Sequence, residues 1–314
     1  MSGPKAVVFA YHDVGVRCLK VLLSAGVEIP LVVTVADDPR ENRWYGSVAE
    51  TAADYGLEVI KPAGAATPEL EARVRSLEPD FLFSFYYRSL LPAGLLASAR
   101  RGALNMHGSL LPKYRGRAPV NWAILKGESE TGATLHYMVE KADAGDIVDQ
   151  LAVPILADDD AREVFVKVTV AAETILARSL PKLIAGTAPR RPQGMPAGPC
   201  YGRRTPEDGR IDWSRSAREI HNLVRAVAPP FPGAFAEVGG ERWDIHRTRL
   251  SERPAPRAGA WLFGADGGLY AACGGGGVLQ LLGVVNARGP IDFPRLSRAH
   301  RERPAPLGIK PRGP

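Results

Sequence analysis

At 314 residues the chain is long enough for about two ordinary domains with sizeable cores. Hydrophobic residues are 45% and charged residues 24%, which excludes a disordered or fibrous chain. The net charge of +6 invites a nucleic-acid partner, but residues 295–314 alone hold six basic residues (Arg295, Arg298, Arg301, Arg303, Lys310, Arg312) against Glu302, so the rest is nearly neutral. No nucleic acid is therefore expected as a partner, and the tail is expected to be solvated and poorly ordered. No run reaches the roughly 20 apolar residues of a membrane span. The start, MSGPKAVVFAY, enters a strand-like run directly and does not resemble a signal peptide, so a cytoplasmic location is expected. Three scattered cysteines, Cys18, Cys200 and Cys273, give neither a disulfide framework nor metal spacing. Cys18 is expected to be buried on a helix, and no metal site is expected.

In chain order, Ala6–Ala10 is an apolar strand that leads through Tyr11, His12, Asp13 and Gly15 into an amphipathic helix ending near Gly26. Ile29–Ala36 is the next strand, closed by a turn at Asp37-Asp38-Pro39. A helix over Ser47–Tyr55, a short strand over Glu58–Lys61 and a helix from Pro68 to Leu77 follow. Asp80–Tyr86 is a strongly apolar strand and Leu95–Arg100 a short helix. This alternation predicts a mostly parallel sheet flanked by helices, a Rossmann-like α/β domain. No Gly-x-Gly-x-x-Gly follows the first strand, so no dinucleotide is expected. Sites in such sheets lie beyond the carboxyl ends of the strands, where His12-Asp13 and Tyr87-Arg88 fall.

Further strands are expected over Ala133–Val139 and Ile147–Ile155, and a long helix over Ala161–Leu183. The Pro- and Gly-rich segment near residues 189–199 is a linker. The domains are thus expected at 1–188 and 200–294, followed by the tail. The second has a helix at Ala217–Val227 and short strands at Ala234–Val238, Trp243–Arg247, Leu269–Ala272 and Val278–Val285, which suggest a small β-barrel. Trp213 and Trp243 are expected in its core.

The stretch from Gly102 to Gln150 carries the chemistry. If Ala103–His107 is a strand, Asn105 and His107 share a face while Met106 packs on the other. An amide beside an imidazole can polarise a carbonyl and manage a proton in one place. A carboxylate such as Asp143 beside the imidazole would raise its pKa. The set suits acyl transfer to an amine, and there is no Ser or Cys at a nucleophile-elbow turn. Taken singly, each residue also has a structural reading as a cap or turn residue.

Asn105-x-His107, then Ser109-Leu110-Leu111-Pro112, Tyr114-Arg115-Gly116 and Asp143-x-Gly145-Asp146, together resemble the folate-dependent formyltransferase family. That family includes methionyl-tRNA, glycinamide ribonucleotide and sugar N-formyltransferases. HGSLLPKYRGRAPVNW from His107, FAYHDVG from Phe9, SFYYR at Ser84–Arg88 and CYGRRTPEDG at Cys200–Gly209 resemble the branch that formylates UDP-4-amino-4-deoxy-L-arabinose, in lipid A modification and polymyxin resistance. The resemblance implies an OB-like second domain and 10-formyltetrahydrofolate as formyl donor. It implies Asn105 as transition-state stabiliser, His107 as proton donor and Asp143 as the group raising the histidine pKa. It places the folate at Ser89, Leu90, Leu91 and Arg117, and along Val139, Glu140, Lys141, Ala142 and Asp143. Leu90 and Leu91 suit a flat pteridine, although helix core would explain either alone. For a UDP-linked amino sugar, Arg88, Arg203 and Arg204 are candidates for the diphosphate, with Tyr11 and Tyr87 stacking or hydrogen bonding. Another nucleotide-linked amino sugar, or methionyl-tRNA, remains open as the acceptor.

Overall fold

The structure, a computed structural model, describes residues 3–38, 42–194 and 199–308. Pro39 of the expected turn, residues 195–198 of the linker, and Lys310 and Arg312 of the tail lie outside the described residues. The chain divides into two compact units, Met1–Pro119 with Glu130–Pro154 and Phe165–Gly202, and Val120–Ser129 with Ile155–Val164 and Arg203–Pro314.

The first unit is an α/β sandwich. Its elements begin β1 (Lys5–Ala10), α1 (His12–Ser24), β2 (Glu28–Val33), α2 (Val48–Asp54), β3 (Val59–Ile60), α3 (Pro68–Ser76), β4 (Phe81–Phe85), α4 (Ala93–Leu96) and β5 (Gly102–His107). After α5 (Pro119–Leu125) come β6 (Glu130–Tyr137), β7 (Ile147–Pro154) and the long α6 (Ala161–Ala185). The sheet order is β3-β2-β1-β4-β5-β6-β7. Pairing is parallel from β3 through β5 and antiparallel from β5 through β7. A strand covered on both faces must be apolar on both. Every residue of β4 (FLFSF) is buried, and Val7, Phe9, Leu31 and Leu82 form one core beneath it. Burying each such side chain is worth about 1.5–3 kcal/mol, so the central strands fix the sheet. The helices start where the sequence supplies caps. Ser47 accepts from Glu50 N–H, and Thr67 accepts from Leu70 N–H ahead of Pro68. The short helix expected over 95–100 is instead Ala93–Leu96. Pro181 lies inside α6, near its end, and the helix runs through it.

The second unit is an antiparallel half-barrel with helices. It holds α7 (Ala217–Val227), β8 (Ala234–Val238), β9 (Glu241–Ser251), β10 (Trp261–Ala265), β11 (Gly268–Ala272), β12 (Val278–Asn286), β13 (Gly289–Pro290), α8 (Phe293–Arg301) and β14 (Ala305–Pro306). The ladder runs β14-β10-β11-β12-β9-β8 and is open between its ends. Trp213, Trp243, Ile220, Val224 and Leu279 lie in its core. Ser216 and Glu219 close a capping box on α7, worth about 1 kcal/mol. One side chain of α7 and one of α5 tie in segments that the sequence assigns to the first domain. Asn121 Nδ2 donates to Ala226 O at 2.8 Å, and Arg225 donates to the carbonyls of Leu156 and Asp159. The tail expectation is corrected. Residues 293–301 form α8, capped by Asp292, with Phe293 and Leu296 packed on the half-barrel core. β10 was not expected; its Gly264 accommodates the carbonyl of Ser297 on α8, which a side chain would meet.

Candidate active site

The site is built on β5 and β6, the fifth and sixth strands across the seven-stranded first sheet. Side chains alternate along β5, so Asn105 and His107 share one face while Met106 is 1% exposed on the other. The antiparallel register sets His136 of β6 opposite Asn105, and Thr134 opposite His107. Paired residues on adjacent strands project together, which adds an imidazole and a hydroxyl to the same face.

The loop after β5 is locked onto this floor. Thr134 Oγ1 donates to Ser109 O at 2.6 Å and accepts from Leu111 N–H at 3.1 Å and Gln150 Nε2 at 2.9 Å. The hydroxyl's one donor and both acceptor sites are thereby used. Gln150 Nε2 also donates to Leu111 O, and Ser109 Oγ donates to Lys113 O. The loop so held turns the carbonyl of Tyr114 onto His107 Nε2, at 2.9 Å.

A second loop, after β6, delivers the carboxylate. Asp143 has φ 51°, a left-handed conformation that Asp tolerates better than most residues. Gln193 Nε2 donates to Asp143 O at 3.0 Å and to Gly145 O at 2.7 Å. Gly145 packs its α-carbon against the carbonyl of Tyr137, where any side chain would collide. Asp143 Oδ2 accepts from Gly116 N–H at 2.9 Å. Gly116 has φ 103°, which requires glycine, and it abuts Tyr201 O. The Asp-x-Gly-Asp and Tyr-Arg-Gly motifs thus meet in one hydrogen bond.

The proton positions follow from the partners. A carbonyl only accepts, so His107 carries its proton on Nε2, toward Tyr114 O. Its Nδ1 faces Asp143 Oδ1 at 3.5 Å. His136 donates from Nδ1 to Tyr137 O at 2.8 Å, leaving Nε2 to accept from Asn105 Nδ2 at 3.2 Å. Asp143 Oδ1 lies 3.6 Å from the same Nε2. One amide hydrogen of Asn105 is thereby fixed, and the other is left to donate.

The titration differs from expectation in one respect. Burial depresses the His107 imidazole below its ordinary value; Asp143 and the Tyr114 carbonyl push it up, but burial wins. His107 is therefore neutral near pH 7. Burial alone would raise the Asp143 carboxyl, but the positive charge that His107 and His136 carry once protonated, with the Gly116 N–H, holds it well below the usual carboxylate range.

The structure brings Asn105, His107 and Asp143 together and adds His136 and Gly116, which the sequence reading missed. The signal for His136 was its place two residues after Thr134 in a β-run. The expected folate segment shows Ser89, Leu90, Arg117, Val139, Glu140 and Lys141 exposed, Ala142 half-buried and Leu91 buried. Leu90 is 76% exposed and Val139 48%, as are apolar side chains elsewhere on the surface such as Leu156 and Val170. The two tyrosines do not stand as free platforms. Tyr11 is buried with its hydroxyl on Tyr45 Oη and Asp37 Oδ1, and Tyr87 packs edge-on against Phe9 in the core. Arg88 lies 4.4 Å over the Tyr11 ring. In the second unit Arg203 is exposed, while Arg204 lies 5.0 Å over Trp122 and donates to Asp208 O. Among the described residues no cluster of His, Cys, Asp and Glu could hold a metal, and no helix is long and apolar enough to cross a membrane.

The mostly parallel sheet carries Asn105 and His107 at the carboxyl end of β5, where binding sites in α/β folds lie. Residues 14–180 match the formyl transferase family, and residues 203–291 match the formyl transferase C-terminal domain. The chain belongs to the formyl transferase family and is an enzyme of that class. Among solved structures it is similar to the sugar 3N-formyltransferase WlaRD, crystallised with dTDP and 5-N-formyl-THF (19% identity, TM-score 0.70, covering 88% of this chain and 97% of that one). It is also similar to an N-formyltransferase from Helicobacter canadensis in complex with folinic acid and dTDP-3-aminofucose (20%, TM-score 0.71, covering 89% and 98%). A 4-N formyltransferase from Francisella tularensis shares 20% identity at TM-score 0.60, covering 77% and 96%. At these identities the likeness is one of fold.

Proposed function

We propose that the protein transfers a formyl group from 10-formyltetrahydrofolate to the amine of a nucleotide-linked amino sugar. The convergence of Asn105, His107, His136 and Asp143 on one strand-end face carries this reading. The folate supplies an activated formyl carbon. Exposed Leu90 and Val139 suit its flat ring, and the backbone of Val139 to Asp143 suits its polar edge.

Transfer requires a donor for the carbonyl oxygen as it gains charge, a base for the acceptor amine, and a proton for the leaving nitrogen. The free amide hydrogen of Asn105 serves the first, since its other hydrogen is fixed by His136. His107 is neutral with its lone pair on Nδ1, so it can take the amine's proton. The resulting imidazolium is held by Asp143, which stays ionised, and the proton can then pass to the leaving nitrogen.

For the acceptor we propose UDP-4-amino-4-deoxy-L-arabinose, on the motif resemblance at SFYYR and CYGRRTPEDG. Lipid A modification and polymyxin resistance would then be the setting, and the cytoplasm the location. Arg88, Arg203 and Arg204 remain candidates for the diphosphate. A dTDP-linked amino sugar is the second reading, favoured by the dTDP ligands of the two similar structures. Assaying the purified chain with 10-formyltetrahydrofolate against UDP- and dTDP-linked 4-amino sugars and methionyl-tRNA decides among them. Formylation of the UDP-sugar is expected; efficient use of methionyl-tRNA alone would overturn the sugar assignment.

A further inference from the structure

The segment that the sequence reads as a linker is bonded to the site on two sides. Arg191 and Ile147 exchange both backbone hydrogen bonds, at 2.8 and 3.0 Å, in an antiparallel bridge at the start of β7. Antiparallel partners run in opposite directions, so Gln193 comes level with Gly145, in the turn that bears Asp143. Its amide nitrogen donates to the carbonyls of Asp143 and Gly145, at 3.0 and 2.7 Å. Both amide hydrogens are thus spent on one turn. The amide oxygen meets no hydrogen-bond partner among the described residues, so the side chain contributes through its donors.

The same segment then pairs with the loop after β5. Tyr201 lies beside Gly116 in a parallel bridge: Tyr201 N–H donates to Arg115 O at 2.8 Å, and Arg117 N–H donates to Tyr201 O at 2.9 Å. N–H groups alternate in direction along an extended chain, so the Gly116 N–H points away from Tyr201, to Asp143 Oδ2 at 2.9 Å. Asp143 is therefore held by its carbonyl through Gln193 and by its carboxylate through Gly116. Its φ of 51° is a conformation that costs free energy in any residue with a side chain and persists where the surroundings impose it. The carboxylate that this turn delivers lies 3.5 Å from His107 Nδ1 and 3.6 Å from His136 Nε2. A shift of about 1 Å in such a group can cost about a hundredfold in rate.

We propose that Gln193 is a positioning residue for formyl transfer: its amide holds the Asp143 turn in the left-handed form and so sets the carboxylate against His107. Residues 191–193 and 201 thereby serve the catalytic apparatus of the first unit, which extends to Gly202. This role rests on the parts given to Asp143 and His107 above and not on which amine is formylated.

In the intact chain, Gln193→Met keeps the length of the side chain and removes both donors. kcat should fall about tenfold, one hydrogen bond's worth, with acceptor KM unchanged. In an Asp143→Asn background the same substitution should change kcat by less than about twofold, because the group it positions has already lost its charge. An equal fall in both backgrounds would overturn the assignment. Amide hydrogen exchange reads the same hold without any substrate. Gly116 N–H, bonded to Asp143 Oδ2, should exchange about tenfold faster in Gln193→Met, while Arg117 N–H, bonded to Tyr201 O, should not change. Unchanged exchange at Gly116, or equal acceleration at both amides, would make Gln193 a clip for the fold and overturn the assignment. Gln193→Asn, which keeps an amide but withdraws it by one carbon, should repeat the pattern and takes the place of Gln193→Met if that variant does not fold. A wild-type chain inactive on all amino sugars would remove the amino-sugar reading and leave the exchange result to decide the role of Gln193.

Discussion

Each unit buries a histidine whose titration is lowered by burial, and the two do opposite jobs. In the second unit, His221 on α7 bonds Thr248 Oγ1 at 2.9 Å and Ala157 O at 3.0 Å. Both hydrogen-bond partners are neutral; the Asp158 carboxylate comes within 3.7 Å of Nε2, but it is 55% exposed and screened by solvent, whereas Asp143 is buried, so the His221 ring is a strut between a helix, a strand and a loop. In the first unit, His107 makes one such bond, to Tyr114 O, while its other nitrogen faces a carboxylate at 3.5 Å. That separation is long for a hydrogen bond but close enough for charge to matter. A strut needs satisfied partners; a proton carrier needs one nitrogen whose protonation the surroundings reward. Burial and a lowered pKa alone would not separate them.

The largest expected effects break the comparison at His107. His107→Ala and Asp143→Ala should each lower kcat by roughly 10²–10⁴ while circular dichroism shows a folded chain. A His107→Ala enzyme that lost stability but kept turnover would make His107 a second strut. Asp143→Asn keeps the shape and removes the charge that pushes His107 upward. The acid limb of the pH–rate profile should therefore move to lower pH, alongside a lower plateau.

Next in size, Asn105→Ala should lower kcat by roughly 10²–10³, with folate KM little changed, because its donated bond strengthens only as charge develops. Steady-state kinetics that showed a raised KM at unchanged kcat would make Asn105 a binding residue. His136→Ala leaves Asn105 in place but unfixed, so kcat should fall by about tenfold, one hydrogen bond's worth. Asn105→Ala and His136→Ala combined should cost less than the sum of the two, since they share one interaction.

The smallest effect sharpens the strut. His221→Ala strands the Thr248 hydroxyl and the Ala157 carbonyl and should cost about 2 kcal/mol in denaturant unfolding, with turnover unchanged. The His221 imidazole titrates lower in the folded chain than in the unfolded one. As pH falls through the ordinary histidine range the unfolded chain takes up the proton first, so stability is lost on acidification. Wild type should therefore unfold at lower denaturant at pH 5 than at pH 7.5, and His221→Ala should show a shallower dependence.

Much of this was legible in the chain itself. The run FLFSF at Phe81 announces a strand covered on both faces, and the two-residue spacing of Asn105 and His107 announces a shared face. Other features depend on distant pairing. His136 gains its role only through the register that sets it opposite Asn105, which no local spacing encodes. Residues 293–301 carry a charge pattern that suggests a solvated tail, while Phe293 and Leu296 find their partners on a core built elsewhere. β10 contains Gly264, a weak strand residue, because α8 packs against it there. The net direction of the His107 shift was missed because sequence shows the carboxylate but not the burial that outweighs it.

The left-handed backbones at His12, Tyr86 and Asp143 bear on how this enzyme would respond to selection for heat resistance. Glycine at any of these positions would relieve about 1 kcal/mol of steric cost, partly offset by the greater freedom it gives the unfolded chain. A thermal screen that ignored activity would thus reach for Asp143, whose side chain faces the chemistry. Libraries ranked by melting temperature should be enriched in Asp143→Gly variants that survive heating and have lost turnover, while Tyr86→Gly, which deletes a packed aromatic ring at a cost of about 3–5 kcal/mol, should be depleted. Absence of the Asp143→Gly variants would show that the contacts of this side chain outweigh the backbone strain.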